Sequence, residues 1–353
     1  MIFAIVTRYH EKRRRTHFDP RDLEGWCIDL NEMHRDMGID FELLKAIMNS
    51  IAFTLDEGIA FAKSTISDGT NFELFRNQPF LKLSETCFLP IEGKLVEELL
   101  FDNLLHRLHS ASNRNIKFHA KLGYDFEQYT QCLIEEFCAS RTGIAYEYIP
   151  EFTYGKANAL SPDAMIRCEQ NQTLLAFEVK SARYLDSILT SNNAPEAITD
   201  SFTKLRYKPW EQVQEAIGRI VDEHRHPKLT AELKYLFVAV TMNEIPHSLE
   251  NYRILANGHD VSHLFHSLGI HTLELLLIAA SPSTKYTLYD ILRNAFASRA
   301  RISTRTTIVR FLKTNNLPSP FFTKIRDKTI QRYAASLDRY RGKLWDPEKT
   351  KID

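Results

Sequence analysis

Several residue types that mark other protein classes are scarce in this chain of 353 residues, which has 12 glycines and five cysteines. The glycines form neither the G-x-G-x-x-G pattern of dinucleotide sites nor a P-loop, and H-E-x-x-H and G-x-S-x-G are also missing. The cysteines show no C-x-x-C spacing. We therefore expect free thiols in a reducing cytoplasm, with Cys132 and Cys168 buried, rather than a disulfide framework or a zinc site.

Long apolar segments are missing as well. The longest, around residues 273–280, is far shorter than the roughly 20 residues of a membrane helix. At the start of the chain the apolar residues 1–6 precede the basic run 12–15, which is the reverse of the order in a signal peptide. We therefore expect a cytoplasmic protein without membrane contact.

The net charge is zero, but the charge is unevenly distributed. Residues 293–343 contain 13 Lys or Arg and two acids, whereas residues 18–110 contain 17 acids and eight bases. A concentrated basic segment is typical of proteins that contact nucleic-acid phosphates. The sequence thus predicts a C-terminal part that faces nucleic acid, and an acidic N-terminal part that either binds a protein partner or packs on the rest.

The pattern richest in chemistry lies between residues 161 and 180. Residues 164–168 and 173–180 have the composition of buried strands, and a short polar break separates them. For a turn of two or four residues, an antiparallel pairing that sets Cys168 against Thr173 also sets Asp163 against Glu178. Opposed residues share a face with Cβ atoms about 5 Å apart, and Lys180 lies on that same face. The pattern therefore predicts two carboxylates and an ammonium converging at one point of a sheet.

Two acids buried this close together cannot both stay ionised without a compensating cation, which makes a divalent metal the expected third component. Another interpretation stays open for Glu178 and Lys180, because charged residues in an apolar strand also protect sheet edges from aggregation. The opposed position of Asp163 favours the metal site, since buried acids without partners are costly.

The arrangement Pro162-Asp163, followed by Glu178-Val179-Lys180, resembles the signature of the PD-(D/E)xK phosphodiesterase superfamily, the restriction-endonuclease-like nucleases. The resemblance covers roughly residues 118–242. It implies an α/β fold with a restriction-endonuclease-like αβββαβ core. The matching elements are a helix with apolar positions from Phe126 to Phe137, strands near 145–153, 164–168 and 173–180, a helix from Lys208, and a strand at 235–240.

The resemblance also implies roles for the residues of the hairpin. Asp163, Glu178 and Lys180 would be the catalytic residues. Asp163, Glu178 and the main-chain carbonyl of Val179 would hold Mg²⁺, with Mn²⁺ as a substitute, while Lys180 would orient or deprotonate the attacking water.

Two flanking helices supply further candidates by the same resemblance. Glu127 would be an additional metal ligand, and Lys208 or Gln212 would bind substrate near the scissile phosphate. The alternatives that stay open are a solvated helix flank for Glu127 and an exposed first-turn residue for Gln212.

The chain divides into a mainly helical N-terminal domain (1–114), a nuclease core (115–285) and a basic helical C-terminal extension (286–353). In the first region we expect helices within 40–63 and 91–109 and a hairpin at 79–90. After the core strand at 235–240 we expect a helix at 249–268 and a strand at 270–280. The polar stretch 186–203 would be a mobile loop over the cleft or an insertion without a catalytic role.

Two further patterns have a spacing or charge that suits a binding site. His259, His263 and His266 would lie on one face of the helix expected at 249–268, a spacing that suits zinc, but no cysteine or acid cluster completes the site and we expect surface histidines. In the C-terminal region helices are expected at 304–314 and 327–340. Residues 328–333 in the second of these resemble a helix-turn-helix recognition helix, and a pair of basic amphipathic helices is the alternative.

These features predict a Mg²⁺-dependent endodeoxyribonuclease that acts on double-stranded DNA in bacterial defence, restriction or repair. A regulatory or defence-system protein is the further partner, and a homodimer is the expected assembly. Two other functions stay open: a catalytically inactive nucleic-acid-binding or assembly protein of the same fold, and a nuclease directed at RNA.

Overall fold

The structure, a computed structural model, describes residues 1–15, 21, 23–67, 71–100, 116–140, 143–181, 199–244, 250–251, 253–315 and 318–340. These residues form a mixed α/β fold. The chain divides into two compact units, the first comprising Met1–Phe118 with Lys328–Asp353 and the second comprising His119–Asp327.

The helices are α1 (Ile2–Arg15), α2 (Leu30–Met37), α3 (Phe41–Ser50), α4 (Leu55–Ser64), α5 (Glu73–Asn77), α6 (Gly93–Glu98), α7 (Ile116–Ala139), α8 (Lys208–Asp222), α9 (Ile270–Ala280), α10 (Leu288–Ser298), α11 (Thr304–Asn315) and α12 (Pro320–Tyr340). A π-helical turn, Thr203–Tyr207, leads into α8. None of the described helices is long and apolar enough to cross a membrane.

The strands are β1 (Ile28–Asp29), β2 (Ala52–Phe53), β3 (Phe80–Lys82), β4 (Cys87–Pro90), β5 (Glu147–Pro150), β6 (Thr153–Tyr154), β7 (Ala159–Leu160), β8 (Ala164–Cys168), β9 (Thr173–Lys180), β10 (Lys234–Thr241), β11 (Leu255–Ala256), β12 (His259–Asp260) and β13 (Phe265–Gly269).

The first unit contains a small sheet with the strand order β1-β4-β3-β2. The predicted hairpin at 79–90 is confirmed as the antiparallel pair β3–β4, and the helical prediction for 40–63 is confirmed as α3 and α4. Thr54 begins α4 with a capping box, in which its side chain accepts from the Glu57 amide and Glu57 accepts in return. Of the helix predicted at 91–109, residues 93–98 are helical and residues 101–109 lie outside the described part of the chain.

The second unit is built on a five-stranded sheet with the order β13-β10-β9-β8-β5. Strand β10 runs parallel to β9 and β13, whereas β8 runs antiparallel to β9 and β5. Alternate side chains of each strand point to opposite faces. Phe177 and Val179 pack in the cluster that contains Phe126 of α7, whereas Leu174 and Ala176 pack with residues of α8.

The C-terminal helices contribute to the core on the α7 face of this sheet. Leu292, Ile308 and Phe321 are fully buried in the same cluster as Val238 and Leu268. The predicted helices at 304–314 and 327–340 are confirmed as α11 and part of α12, and residues 328–333 lie inside α12. Contact of these helices with DNA stays a prediction.

Residues 270–280 form the helix α9, so the prediction of a strand there was wrong. Seven of its eleven residues are buried. A helix that is apolar on most sides has no amphipathic period, so its sequence cannot be distinguished from a buried strand by pattern alone. Its length, beyond that of most strands, was the available signal.

The prediction of a helix at 249–268 was also wrong. Asn257 and Gly258, both with positive φ, form the two-residue turn of a hairpin that pairs Ala256 with His259, and Asn-Gly is a strong hairpin signal. The three histidines therefore do not share a helix face. His259 is exposed in β12, but His266 is buried in β13, which contradicts the expectation of a surface residue.

Two smaller expectations are resolved by burial. Cys168 is buried as predicted, but Cys132 is exposed on α7, because it lies beside the apolar stripe of that helix and not within it. The loop expected over the cleft at 186–203 falls mostly outside the described residues, and its last residues, 199–203, are helical.

Two glycines offer a test of the backbone packing. At Gly143 an added Cβ would overlap the main-chain carbonyl of Ser283, which also accepts from the Ile144 amide, whereas at Gly218 in α8 it would meet nothing within 4 Å. We expect Gly143→Ala to lower the free energy of unfolding by about 1–3 kcal/mol through overpacking. Gly218→Ala should raise it by about 0.5–1 kcal/mol through helix propensity.

Urea unfolding of both variants measures the difference. The same chemical change should have opposite signs at the two positions. Equal stability of the two variants would show that the loop at residue 143 does not approach residue 283 as described.

Candidate active site

The β8–β9 hairpin has the predicted register. Cys168 pairs with Thr173 and Ala164 with Phe177, across a four-residue turn. The next position in this register sets Asp163 opposite Glu178. Both acids therefore lie at the end of the sheet where β8 begins and β9 ends.

A hydrogen bond fixes Asp163 across the hairpin. Its carboxylate oxygen Oδ2 accepts from the main-chain N–H of Val179 at 2.6 Å. The distance is short for an N–H···O hydrogen bond. This bond holds the Asp163 side chain over the end of β9, next to Glu178.

Lys180 lies beside the acid pair. Its ammonium donates to Oε1 of Glu178 at 2.7 Å, and the two side chains are 27% and 15% exposed, respectively. Glu178 and Lys180 are two residues apart on β9, so they point to the same face of the sheet. The structure thus brings Asp163, Glu178 and Lys180 together.

Glu127 reaches the site from α7, on the other face of the sheet. The amide Nε2 of Gln131 donates to Oε1 of Glu127 at 3.3 Å and to the main-chain carbonyl of Asp163 at 3.0 Å, and so links the helix to the strand. The helix can approach this closely because Gly123 lacks a side chain, and a Cβ there would lie 3.1 Å from Oγ of Ser181. Gln131 and Gly123 are positioning residues that the sequence did not reveal.

Glu151 is a fourth acid at the site, and it was missed. Strand β5 pairs Pro150 with Ala164, so the same register sets Glu151 opposite Asp163. Burial, together with the charges of Glu127 and Glu178, raises the pKa of Glu151. No local sequence pattern predicts this position of Glu151, because the long connection between β5 and β8 leaves the register of the two strands undetermined.

The acids disturb one another electrostatically. Burial first, and then the charge of Glu178, raise the pKa of Asp163 to about 8. The Val179 amide and the Lys180 ammonium act in the opposite direction but do not outweigh these effects. Asp163 is therefore protonated at neutral pH when no further cation is present, which is typical of functional carboxylates.

The remaining predicted residues are less closely placed. Val179 belongs to the core through its side chain, which leaves its main chain at the site. Lys208 and Gln212 are both exposed on the first turns of α8. Because β10 is parallel to β9, α8 must run back from the Lys180 end of the sheet, so these two residues lie toward the site end of the helix.

Within the described part of the chain, no three His, Cys, Asp or Glu side chains are grouped closely enough to hold a metal ion. What the geometry provides is the facing pair of Asp163 and Glu178, with Lys180 as a neighbouring cation. Such a pair can bind a cation with the help of main-chain oxygens and water, and the lysine can orient or protonate a bound reactant.

The raised pKa of Asp163 has a measurable effect on stability. Its folded-state pKa, about 8, exceeds the unfolded value near 3.9. The stabilisation is therefore complete below about pH 4 and is lost as the pH rises through 8. In EDTA, wild type should lose about 2–4 kcal/mol relative to Asp163→Asn between pH 5 and 8, because each pH unit contributes up to about 1.4 kcal/mol.

Urea unfolding at both pH values measures this difference, and Glu232→Gln, at an exposed acid, is the matched control that should follow wild type. A constant difference between wild type and Asp163→Asn across the range would contradict the burial of a protonated carboxyl.

Comparison with protein-family models gives no match for this chain, and none of the curated proteins matches it. Among solved structures, the chain is similar to the small subunit of the heterodimeric restriction endonuclease R.BspD6I. The TM-score is 0.30 and the sequence identity 10%, over 56% of this chain and 96% of that subunit. The chain's own residues form a mixed α/β structure.

Proposed function

We propose that this chain is a metal-dependent nuclease with a restriction-endonuclease-like core, which hydrolyses phosphodiester bonds of DNA. The observation that carries the proposal is the convergence of Asp163, Glu178 and Lys180 at one end of the central sheet. Two facing acids and an adjacent lysine provide the metal ligands and the proton-handling group that phosphodiester hydrolysis requires.

The acid-rich end of the sheet suits a divalent cation. Burial first, and then the charges of Glu178 and Glu127, raise the pKa of Asp163 even though Lys180 is close, so a divalent cation that replaced the proton would stabilise the ionised acid pair. Mg²⁺ prefers carboxylate oxygens and retained water. In our proposal Asp163, Glu178 and the Val179 carbonyl hold Mg²⁺ or Mn²⁺, and Glu127 is a further ligand.

When bound, the ion would supply a Lewis acid that activates water and stabilises charge on the phosphate. Lys180 is the residue that handles the proton in this proposal. Its ammonium lies within one hydrogen bond of Glu178, where it can orient the attacking water and stabilise the negative charge that develops on it.

The basic C-terminal helices provide the contact with DNA. Arg305, Arg310 and Lys313 are exposed along α11, and Lys324 is exposed on α12. Exposed cations bind nucleic-acid phosphates irrespective of sequence, because they release condensed counterions. Lys208 and Gln212 on α8 would contact the substrate nearer the site.

The proposal predicts metal-dependent cleavage of plasmid and linear duplex DNA. Asp163→Asn should abolish cutting, and Lys180→Ala should lower the rate by about 10²- to 10⁴-fold, the usual contribution of a positioned proton-transfer group. Lys234→Ala, an exposed lysine at the other end of the neighbouring strand, should cut at the wild-type rate. The measurement is a gel assay with Mg²⁺, Mn²⁺ or EDTA.

The same assay distinguishes the open alternatives. Cleavage of RNA with intact DNA would reassign the substrate, and binding of DNA without cutting by wild type would favour the inactive nucleic-acid-binding protein. Robust cutting in EDTA, or by Asp163→Asn, would exclude the metal mechanism.

A separate prediction concerns the basic face of α11. Replacing Arg305, Arg310 and Lys313 together with glutamine should weaken DNA binding and flatten the dependence of log affinity on log salt. Each lost phosphate contact removes about 0.9 from the slope, so three contacts remove about 2.7. Fluorescence anisotropy of a labelled duplex at several salt concentrations measures the slope.

The matched control replaces the same number of exposed cations elsewhere in the second unit, at Lys156, Arg225 and Lys234. It should keep the wild-type slope. If the control and the α11 variant change the slope equally, the DNA does not bind on α11.

A further inference from the structure

Helix α4 of the first unit exposes a row of apolar side chains. Leu55 is 62% exposed, Ile59 is 44% exposed, and Ala62 is exposed as well. These three residues are four and three positions apart, so they lie along one face of the helix, here named the α4 stripe. Ile66, two residues after the helix ends, is 87% exposed. Single exposed apolar residues are ordinary, but an aligned stripe of them indicates an interaction surface.

The opposite side of α4 packs on the first unit. The ring of Phe61 lies edge-on to the ring of Phe75, and the two ring centres are 5.5 Å apart. At Gly58 an added Cβ would lie 2.8 Å from the ring of Phe53, so the helix rests closely on that ring. Because Phe61 and Gly58 face the unit, the α4 stripe points away from it.

Two opposite charges flank the α4 stripe on one side. Asp56 and Lys63 are both exposed, and their spacing of seven residues places them on the same side of the helix. They are about 10 Å apart along the helix axis, which is too far for an ion pair with each other. Each can therefore pair with a charge on another molecule.

The order of these charges fits a second copy of the same helix. A two-fold axis that relates two antiparallel α4 helices keeps this flank on the same side of both. Lys63 of the second copy then comes level with Asp56, and the reciprocal pair forms at the same time. The stripe is centred between residues 58 and 59 and the charged pair between residues 59 and 60, which is a difference of about 1.5 Å along the helix. One axis therefore serves both the apolar contact and the two ion pairs.

We propose that the α4 stripe is the contact between two copies of this chain, packed with antiparallel α4 helices about a two-fold axis. The antiparallel arrangement also aligns the helix dipoles favourably. Since the ten residues of α4 span about 15 Å, the interface is small and the dimer dissociates on dilution. The contact is independent of the proposed nuclease activity, because α4 contributes no residue to the acid pair.

Sedimentation equilibrium of the full chain, over about 1–100 μM, measures the dimer dissociation constant. Ile59→Asp should raise this constant by about 100-fold or more, because the buried charge enters a symmetric interface twice. Leu83→Asp is the matched control. Leu83 is 43% exposed in the turn between β3 and β4, and its replacement should leave the constant unchanged.

Charge reversal tests the antiparallel arrangement. Asp56→Lys and Lys63→Glu should each weaken dimerisation by about tenfold, because each replaces two ion pairs with two contacts of like charge. An equal mixture of these two variants should associate within about threefold of the wild-type affinity, since every acid at the interface then meets a lysine. Lys94→Glu, at an exposed lysine of α6, should have no effect.

Circular dichroism and the melting temperature establish that each variant is folded. If Ile59→Asp does not fold, the two charge-reversal variants at exposed positions still decide the outcome. Wild type that remains a monomer at about 100 μM overturns the proposal and assigns the stripe to a different partner. Undiminished dimerisation of a folded Ile59→Asp places the dimer contact elsewhere. A mixture that associates no more tightly than its separate variants excludes the antiparallel pairing.

Discussion

The candidate active site depends on the register of one hairpin. Because β8 pairs with β9 so that Cys168 faces Thr173, Asp163 comes to the end of β9 and its carboxylate accepts from the Val179 amide. A slip of one residue would turn Glu178 and Lys180 to the opposite face of the sheet. Large buried side chains on both faces of β9 oppose such a slip, so the packing of the core determines which residues lie together at the end of this strand.

The position of these acids at one end of the sheet has an electrostatic consequence. Strand ends bring Glu151, Asp163 and Glu178 into adjacent registers, while α7 adds Glu127 from the other face. Without an added cation these carboxylates repel one another, and Asp163 holds a proton. At the other edge of the same sheet, burial first, and then the charges of Arg206, Arg299 and Arg293, lower the pKa of His266 to about 3.

The positions of residues that a local sequence pattern specifies were predictable, and the positions that depend on pairing between distant segments were not. The register of Asp163 and Glu178 follows from a short even turn, so the sequence determines it. Glu151 joins the site through a pairing between strands separated by a hairpin, and nothing local specifies that register. The prediction for His266 was wrong because it assumed a helix where Asn257-Gly258 forms a hairpin turn. The prediction for α9 was wrong because an apolar helix and an apolar strand have similar sequences.

The central claim is that Asp163 and Glu178 together bind a divalent ion, and calorimetric titration of Mn²⁺ tests it most directly. Wild type should bind, Asp163→Asn should lose binding, and Glu232→Gln should bind as wild type does. Lys180→Ala should bind at least as tightly as wild type, because a positive charge next to the ion is removed. Normal Mn²⁺ binding by Asp163→Asn would contradict the claim.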